Sequence, residues 1–131
     1  MNRVFYSESN IEMFTDGHNQ YIIPVPSQLK LCRDTVDDLS YTASFTYDEP
    51  GKIALVEYKA CRHGDYIVYV FHDKDEDMRD EANYTHMIEL GRKGYTRKAL
   101  DKKKVFFGVY VLMTNDTTSP AKDIFMWYKR R

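Results

Sequence analysis

Three consecutive segments with the composition of β-strands, joined by two short turns, constrain the fold of this chain more than any other feature. Residues 41–47 alternate apolar and small polar side chains, the period of two expected for a half-buried strand. Residues 48–51 have turn chemistry, with Pro suited to the second position of the turn and Gly to the third, and they lead into a strand at residues 53–62. A tight turn at His63 and Gly64 then leads into a strand at residues 65–72. Strands joined in this way pair antiparallel, and the sequence predicts a meander.

The remaining segments extend this sheet. Residues 66–71 are apolar on both faces, which predicts a central strand covered on each side. Residues 21–26 are extended and suit a sheet edge, because their two prolines cannot donate to a ladder. Residues 4–6 form a short strand and residues 27–39 a short helix in this interpretation. The apolar runs at 105–113 and 124–128, separated by a polar loop, predict a C-terminal hairpin.

One principal helix is predicted between the meander and the hairpin. Asp73 or Asp75 can cap its first turn, and the acidic residues that follow interact favourably with the helix dipole. Gly91 or Gly94 ends it, and Thr96 can cap a further helical turn. The sequence thus predicts an α+β fold, a mainly antiparallel sheet of five or six strands with one principal helix packed on one face. A chain of 131 residues fits a single domain, residues 1–131.

Composition limits where the protein acts. The N-terminal residues contain no apolar run of the length that a secretory signal requires, and no segment is long and apolar enough for a membrane span. We therefore predict a cytoplasmic protein without a membrane partner, and we interpret Cys32 and Cys61 as reduced thiols.

The net charge of -1 conceals an asymmetry. Residues 1–90 contain 8 Lys and Arg against 17 Asp and Glu, a net charge of -9, whereas residues 91–131 contain 11 against 3, a net charge of +8. The predicted helix, acidic at its start and basic at its end, accounts for part of this split. The rest indicates an acidic partner or a nucleic acid.

The basic C-terminal third supplies the candidate binding residues, cations interleaved with aromatic rings. They are Arg92, Lys93, Arg97, Lys98, Lys102, Lys103, Lys104, Trp127, Tyr128 and Arg130. Cations neutralise phosphates and rings stack on bases, so this pattern suits a single-stranded nucleic acid. It equally suits a protein interface, in which Tyr, Trp and Arg are enriched.

Catalytic candidates are fewer. His72, at a strand end, and His86, on the following helix, could perform acid–base chemistry together with Asp73 if they met. The acidic run at residues 73–77 starts like a calcium loop but lacks the glycine and the terminal glutamate of that motif, so no metal is predicted. No phosphate-binding loop, dinucleotide fingerprint or nucleophile elbow is present, and no cofactor is predicted.

The leading hypothesis is therefore a small intracellular binding or modulator protein that docks on a larger macromolecule, its partner being another protein or a second copy of the chain. An amino-acid composition rich in Tyr, Asp, Lys and Met, which many phage proteins share, extends this hypothesis to a phage or mobile-element inhibitor of a host factor. The alternative is a nucleic-acid-binding module that uses the basic C-terminal third. A third hypothesis is a small hydrolase that uses His72 and His86, although an enzyme is the weaker prediction.

Overall fold

A computed structural model describes residues 2–3, 20–25 and 41–130 of the chain. Its strands are β1 (Asn2–Arg3), β2 (Tyr21–Pro24), β3 (Ala43–Glu49), β4 (Lys52–His63), β5 (Tyr66–Asp73) and β6 (Val109–Thr114). Its helices are α1 (Lys74–Glu89), α2 (Arg97–Lys103) and α3 (Ala121–Lys129), with a 3₁₀ turn at Lys104–Phe106. The predicted strand at residues 4–6 and the predicted helix at residues 27–39 lie outside the described residues.

The predicted α+β class and antiparallel sheet are confirmed. Strands β2 to β6 form one open antiparallel sheet in the order β2-β6-β5-β4-β3, and the two residues of β1 lie parallel to β2. The meander β3-β4-β5 has the predicted turns, with Gly51 and Gly64 at φ +85° and +63°. Strand β2 is not at the edge of the sheet, because β1 pairs with it. The missing N–H of Pro24 breaks no hydrogen bond to β1, since the pairing with β1 ends at Ile22.

Strand β5 is central and buried on both sides, as its sequence predicts. On one face Phe71 and Tyr69 belong to an aromatic cluster that α3 covers with Ile124 and Phe125. The ring of Phe125 lies 5.0 Å from that of Phe71. On the other face Val68 and Val70 of β5 are at most 1% exposed and pack with apolar residues of β2 and β6. Phe71 on one face of β5 and Val70 on the other are both fully buried.

The predicted C-terminal hairpin is wrong. Residues 124–128 belong to α3, and residues 105–106 belong to the 3₁₀ turn, so that β6 begins only at Val109. The helix starts at Pro120, after a turn in which Asp116 accepts hydrogen bonds from the backbone of Thr118 and Ser119. A short apolar run does not distinguish strand from helix by period alone, and the turn before it decides the outcome here.

The predicted principal helix is confirmed as α1, with Asp73 as its N-cap. It is one of three helices in the described residues, and its surroundings differ from the prediction. Only Tyr84 of α1 is buried, and that ring packs against Tyr95 and Phe107 in the segment after α1. The helix whose apolar side chains pack on the sheet is α3.

Candidate functional site

The segment between β5 and β6 forms a helical excursion, defined here as residues 74–108. It starts where Asp73 Oδ1 accepts the backbone N–H groups of Asp75 and Glu76, at 3.0 and 3.3 Å. It ends at Gly108, whose carbonyl accepts the N–H of Asp73 at 2.8 Å. The two ends of the excursion therefore meet where β5 ends and β6 begins, and α1 and α2 lie between them in the chain.

Gly108 allows this closure because the backbone of α1 passes directly over it. A Cβ atom at this position would lie 2.4 Å from the carbonyl oxygen of Asp73 and 2.6 Å from the nitrogen of Asp77. Its φ of +69° also favours glycine. The Gly108 N–H donates to Asp80 Oδ2 at 2.9 Å, which fixes the second turn of α1.

The far end of the excursion is strongly basic, and we call residues 90–107 the basic end. It contains seven of the predicted binding cations and one acid, Asp101. All seven cations are exposed, and Lys104 pairs with Glu81 at 3.4 Å. The other six form no ion pair with any described residue: Arg92, Lys93, Arg97, Lys98, Lys102 and Lys103.

Apolar side chains are exposed on the same segment. Leu90 is 54% exposed, Val105 43%, and Tyr95 and Phe106 are 39% each. Residues 90–107 therefore carry four exposed apolar side chains on the same segment as six cations without an ion pair in the described chain.

The predicted C-terminal binding residues lie elsewhere. Lys129, next to Arg130, reaches Asp73 at 2.8 Å and Glu49 at 3.7 Å, so the end of α3 lies at the start of α1. The sixteen residues of α1 span about 24 Å between that point and Leu90, where the basic end begins. Trp127 is 42% exposed, whereas the Tyr128 ring packs against Tyr110 at 6.1 Å. The structure therefore gathers residues 92–104 and leaves Trp127, Tyr128 and Arg130 apart from them.

The two catalytic histidines are not brought together. His86 is exposed on α1, thirteen residues beyond Asp73, which places it about 20 Å along the helix from the end of β5. His72 instead contacts Asp77, with Nε2 2.7 Å from Oδ2, and its Nδ1 lies 3.7 Å from Glu57 Oε1. The ring of Tyr41 stacks on it at 5.7 Å. Burial, with Glu57 and Asp77 nearby, raises the pKa of Tyr41 to about 12.

Asp73, the third catalytic candidate, holds the fold together. It is fully buried, and its Oδ2 accepts hydrogen bonds from the Tyr47 hydroxyl at 2.6 Å and from Lys129 at 2.8 Å. Burial alone would raise the pKa of Asp73, but the hydrogen bonds from Lys129, Tyr47 and the Glu76 N–H outweigh it and hold the pKa below 3.8. Burial and the bonds to Asp73 and Glu49 raise the pKa of Tyr47 well above its ordinary value.

The acids at the start of α1 contact separate groups. Asp75 pairs with Lys52 at 3.3 Å and Asp77 contacts His72, while Asp73 binds Lys129 and Tyr47. Within the described residues, no group of three His, Cys, Asp or Glu side chains is arranged to hold a metal ion.

One pocket of about 310 Å³ opens between α1 and the segment that follows it. Its wall combines a carboxylate, an amide, a thioether and three aromatic rings. The lining residues are Asp80, Asn83, Tyr84, Met87, Tyr95 and Phe107. The first four have the spacing of a single helix face, i, i+3, i+4 and i+7, which the sequence displays; the two facing rings depend on the fold of the excursion.

Comparison with known proteins identifies no relative of this chain: no family model, no curated protein and no solved structure matches it. Among the described residues, no helix is long and apolar enough to cross a membrane.

Proposed function

We propose that this chain is a small binding protein that docks on an acidic surface of a larger protein through its basic end. The observation that supports this proposal is the group of six exposed, unpaired cations on one short segment, next to four exposed apolar side chains.

The positive charge of the basic end favours a negatively charged partner. The seven cations within residues 90–107 repel one another, with only one acid, Asp101, among them, and only Lys104 has a carboxylate partner in the described chain. An anionic surface relieves this repulsion and accelerates the encounter of the two molecules. The net charge of -9 on residues 1–90 confines a polyanionic partner to the basic end.

The exposed apolar groups favour a protein as the partner. Leu90 and Val105 are aliphatic, and they offer contact area that a nucleic acid backbone does not use. Protein interfaces combine a central apolar and aromatic patch with a charged rim. The basic end offers both kinds of side chain, with Tyr95 and Phe106 as its exposed aromatic residues.

Binding to a defined acidic polypeptide tests the proposal. Fluorescence anisotropy with labelled poly-glutamate would compare the wild type with a variant in which Lys98, Lys102 and Lys103 are replaced by Gln. Each exposed ion pair contributes up to about 1 kcal/mol, so we expect the three changes to weaken binding by about tenfold.

A matched variant provides the control. Lys52, Lys74 and Lys122 are also exposed lysines, but they lie outside the basic end. Their replacement by Gln changes the net charge by the same amount, and we expect it to alter the affinity by less than about twofold. Equal losses in the two variants would show that net charge, and not the basic end, governs binding.

A second candidate function is the binding of single-stranded nucleic acid, favoured by the exposed rings of Tyr95 and Phe106 among the cations. Its probe is a labelled oligo(dT). If it binds, log Kd against log salt should have a steep slope, and neutralising Lys98, Lys102 and Lys103 should reduce that slope by about 2. Tighter binding of oligo(dT) than of poly-glutamate at equal salt would favour this candidate over the protein partner.

A further inference from the structure

The pocket between α1 and the following segment shares Tyr95 and Phe107 with the basic end, and its other lining residues belong to α1. We call it the aromatic pocket, and its six lining residues are named above. At about 310 Å³ it falls at the lower end of the range for small-ligand sites. It suits one small group better than an extended chain.

The charge of the aromatic pocket is negative. Asp80 provides a carboxylate on its wall, and the Gly108 N–H occupies one of the two oxygens. Burial, together with the neighbouring charges of Glu76 and Asp77, raises the pKa of Asp80 above its ordinary value, although the Gly108 hydrogen bond opposes this shift. A carboxylate in this environment is stabilised by a bound cation.

The rings of the aromatic pocket can also bind a cation. The Tyr84 ring lies 4.8 Å from that of Tyr95, with an angle of 55° between them, and 6.1 Å from that of Phe107, with an angle of 45°. Tilted rings present both faces and edges, and a cation within about 6 Å of a ring face is attracted to its negative side.

One polar group on this wall lacks a partner. The Tyr84 side chain is 7% exposed, and its hydroxyl forms no hydrogen bond with the described chain. A buried hydroxyl without a partner costs about 1–3 kcal/mol. Tyr95, which packs against this ring and lines the same pocket, is 39% exposed.

We propose that the aromatic pocket binds a protonated primary alkylamine, either a free polyamine or the side chain of a lysine. The ammonium group pairs with Asp80 and donates to the Tyr84 hydroxyl and the Asn83 amide oxygen, while its methylene groups pack on the rings.

The first test uses the wild-type protein. Nuclear magnetic resonance would follow the amide signal of Gly108, which donates to Asp80, during titration with cadaverine and with Nα-acetyl-lysine methylamide. We expect both to shift this signal, and the tighter of the two identifies the source of the amine. The controls are 1,5-pentanediol, which is neutral, and tetramethylammonium, which has no N–H group. If either control binds as tightly as the amines, the proposal is overturned.

The second test uses variants. Asp80→Asn keeps an oxygen for the Gly108 N–H, and we expect it to raise the Kd for cadaverine about tenfold. Tyr84→Phe removes only the hydroxyl, and we expect a rise of about threefold. Asp101→Asn removes an exposed carboxylate of α2 and serves as the control, with an unchanged Kd. Unchanged binding in both Asp80→Asn and Tyr84→Phe would contradict the proposal.

The two binding sites can be tested apart. The variant with Gln at positions 98, 102 and 103 should bind poly-glutamate about tenfold more weakly and keep its affinity for cadaverine. A protein that binds cadaverine and not poly-glutamate would retain the aromatic pocket and exclude the proposed docking function.

Discussion

The carboxylate of Asp73 joins four elements. It ends β5 and caps α1 through Oδ1, while Oδ2 accepts hydrogen bonds from Tyr47 on β3 and from Lys129 at the end of α3. Its complete burial is possible because these donors and the cation of Lys129 replace the lost water. The stability of the helices and that of the sheet are therefore coupled at one residue.

Replacing Lys129 by Met should leave the buried charge of Asp73 without its cation. Removal of one partner from a buried pair costs about 3–5 kcal/mol; because Lys129 is partly exposed, we expect about 2–3 kcal/mol in the free energy of unfolding, measured by urea denaturation. Lys122→Met on the same helix removes an exposed lysine and should change this energy by less than about 0.5 kcal/mol. Equal effects in the two variants would mean that the contact with Asp73 contributes nothing.

Low pH should reduce the folding stability of the protein, because it protonates Asp73. Because its pKa in the folded state is below 3.8, the unfolded chain binds a proton first as the pH falls. The stabilisation is complete above about pH 5 and is lost as the pH drops through the folded-state pKa. We expect the midpoint of thermal unfolding to fall less steeply below pH 4 in Asp73→Asn than in the wild type. Parallel curves for the two proteins would contradict this assignment.

Gly108→Ala should be strongly destabilising for two reasons, its positive φ and the contact with the backbone of α1. Gly91 offers a matched control, because it has the same φ of +69° and nothing within 4 Å of the added Cβ. We expect Gly91→Ala to cost about 1 kcal/mol, and Gly108→Ala at least about 2 kcal/mol more, in chemical denaturation. Similar costs at the two positions would show that the close approach is not a constraint.

For single residues, the sequence predicts contacts between neighbours in the chain but not contacts between residues far apart in the chain. The cap by Asp73 follows from an acidic residue before a helical segment. Its bonds to Tyr47 and Lys129 join residues 26 and 56 positions away, so they exist only once β3 and α3 lie beside it.

Among the elements, the meander could be predicted and the C-terminal segment could not. The turns at Gly51 and Gly64 fix the positions of the three strands in the chain. The alternation of apolar and polar side chains in residues 41–47 fixes which side chains share a face of the sheet. In residues 124–128, by contrast, five large apolar side chains fit a buried strand or a helix equally well. The helix forms because Ile124, Phe125 and Tyr128 then share one face toward the sheet.

Alanine substitutions in α3 distinguish a helix from a strand at residues 124–128. In a strand, residues 125 and 127 would share a face, whereas in the helix Phe125 is 1% exposed and Trp127 is 42% exposed. We expect Phe125→Ala to cost about 3–5 kcal/mol and Trp127→Ala less than about 1 kcal/mol in the free energy of unfolding. Comparable losses at both positions would argue for a strand.

For the whole molecule, the separation of charge in the sequence becomes a separation in space. Among the described residues the acids concentrate at the end of β3 and in the first half of α1, whereas seven cations of the C-terminal third lie on the segment that follows α1. Composition indicated a basic surface, and in the structure residues 92–104 follow α1, whereas Lys129, next to Arg130, contacts Asp73 at the start of α1. The aromatic pocket could not be predicted, since its two walls are joined only by the turn after α1.

The most direct test of the proposed function is the affinity for labelled poly-glutamate of the two triple variants, measured by anisotropy at one salt concentration. The account predicts about a tenfold weaker affinity when Lys98, Lys102 and Lys103 are Gln, and a nearly unchanged affinity when Lys52, Lys74 and Lys122 are Gln. No binding by the wild type, or the same loss in both variants, would contradict it.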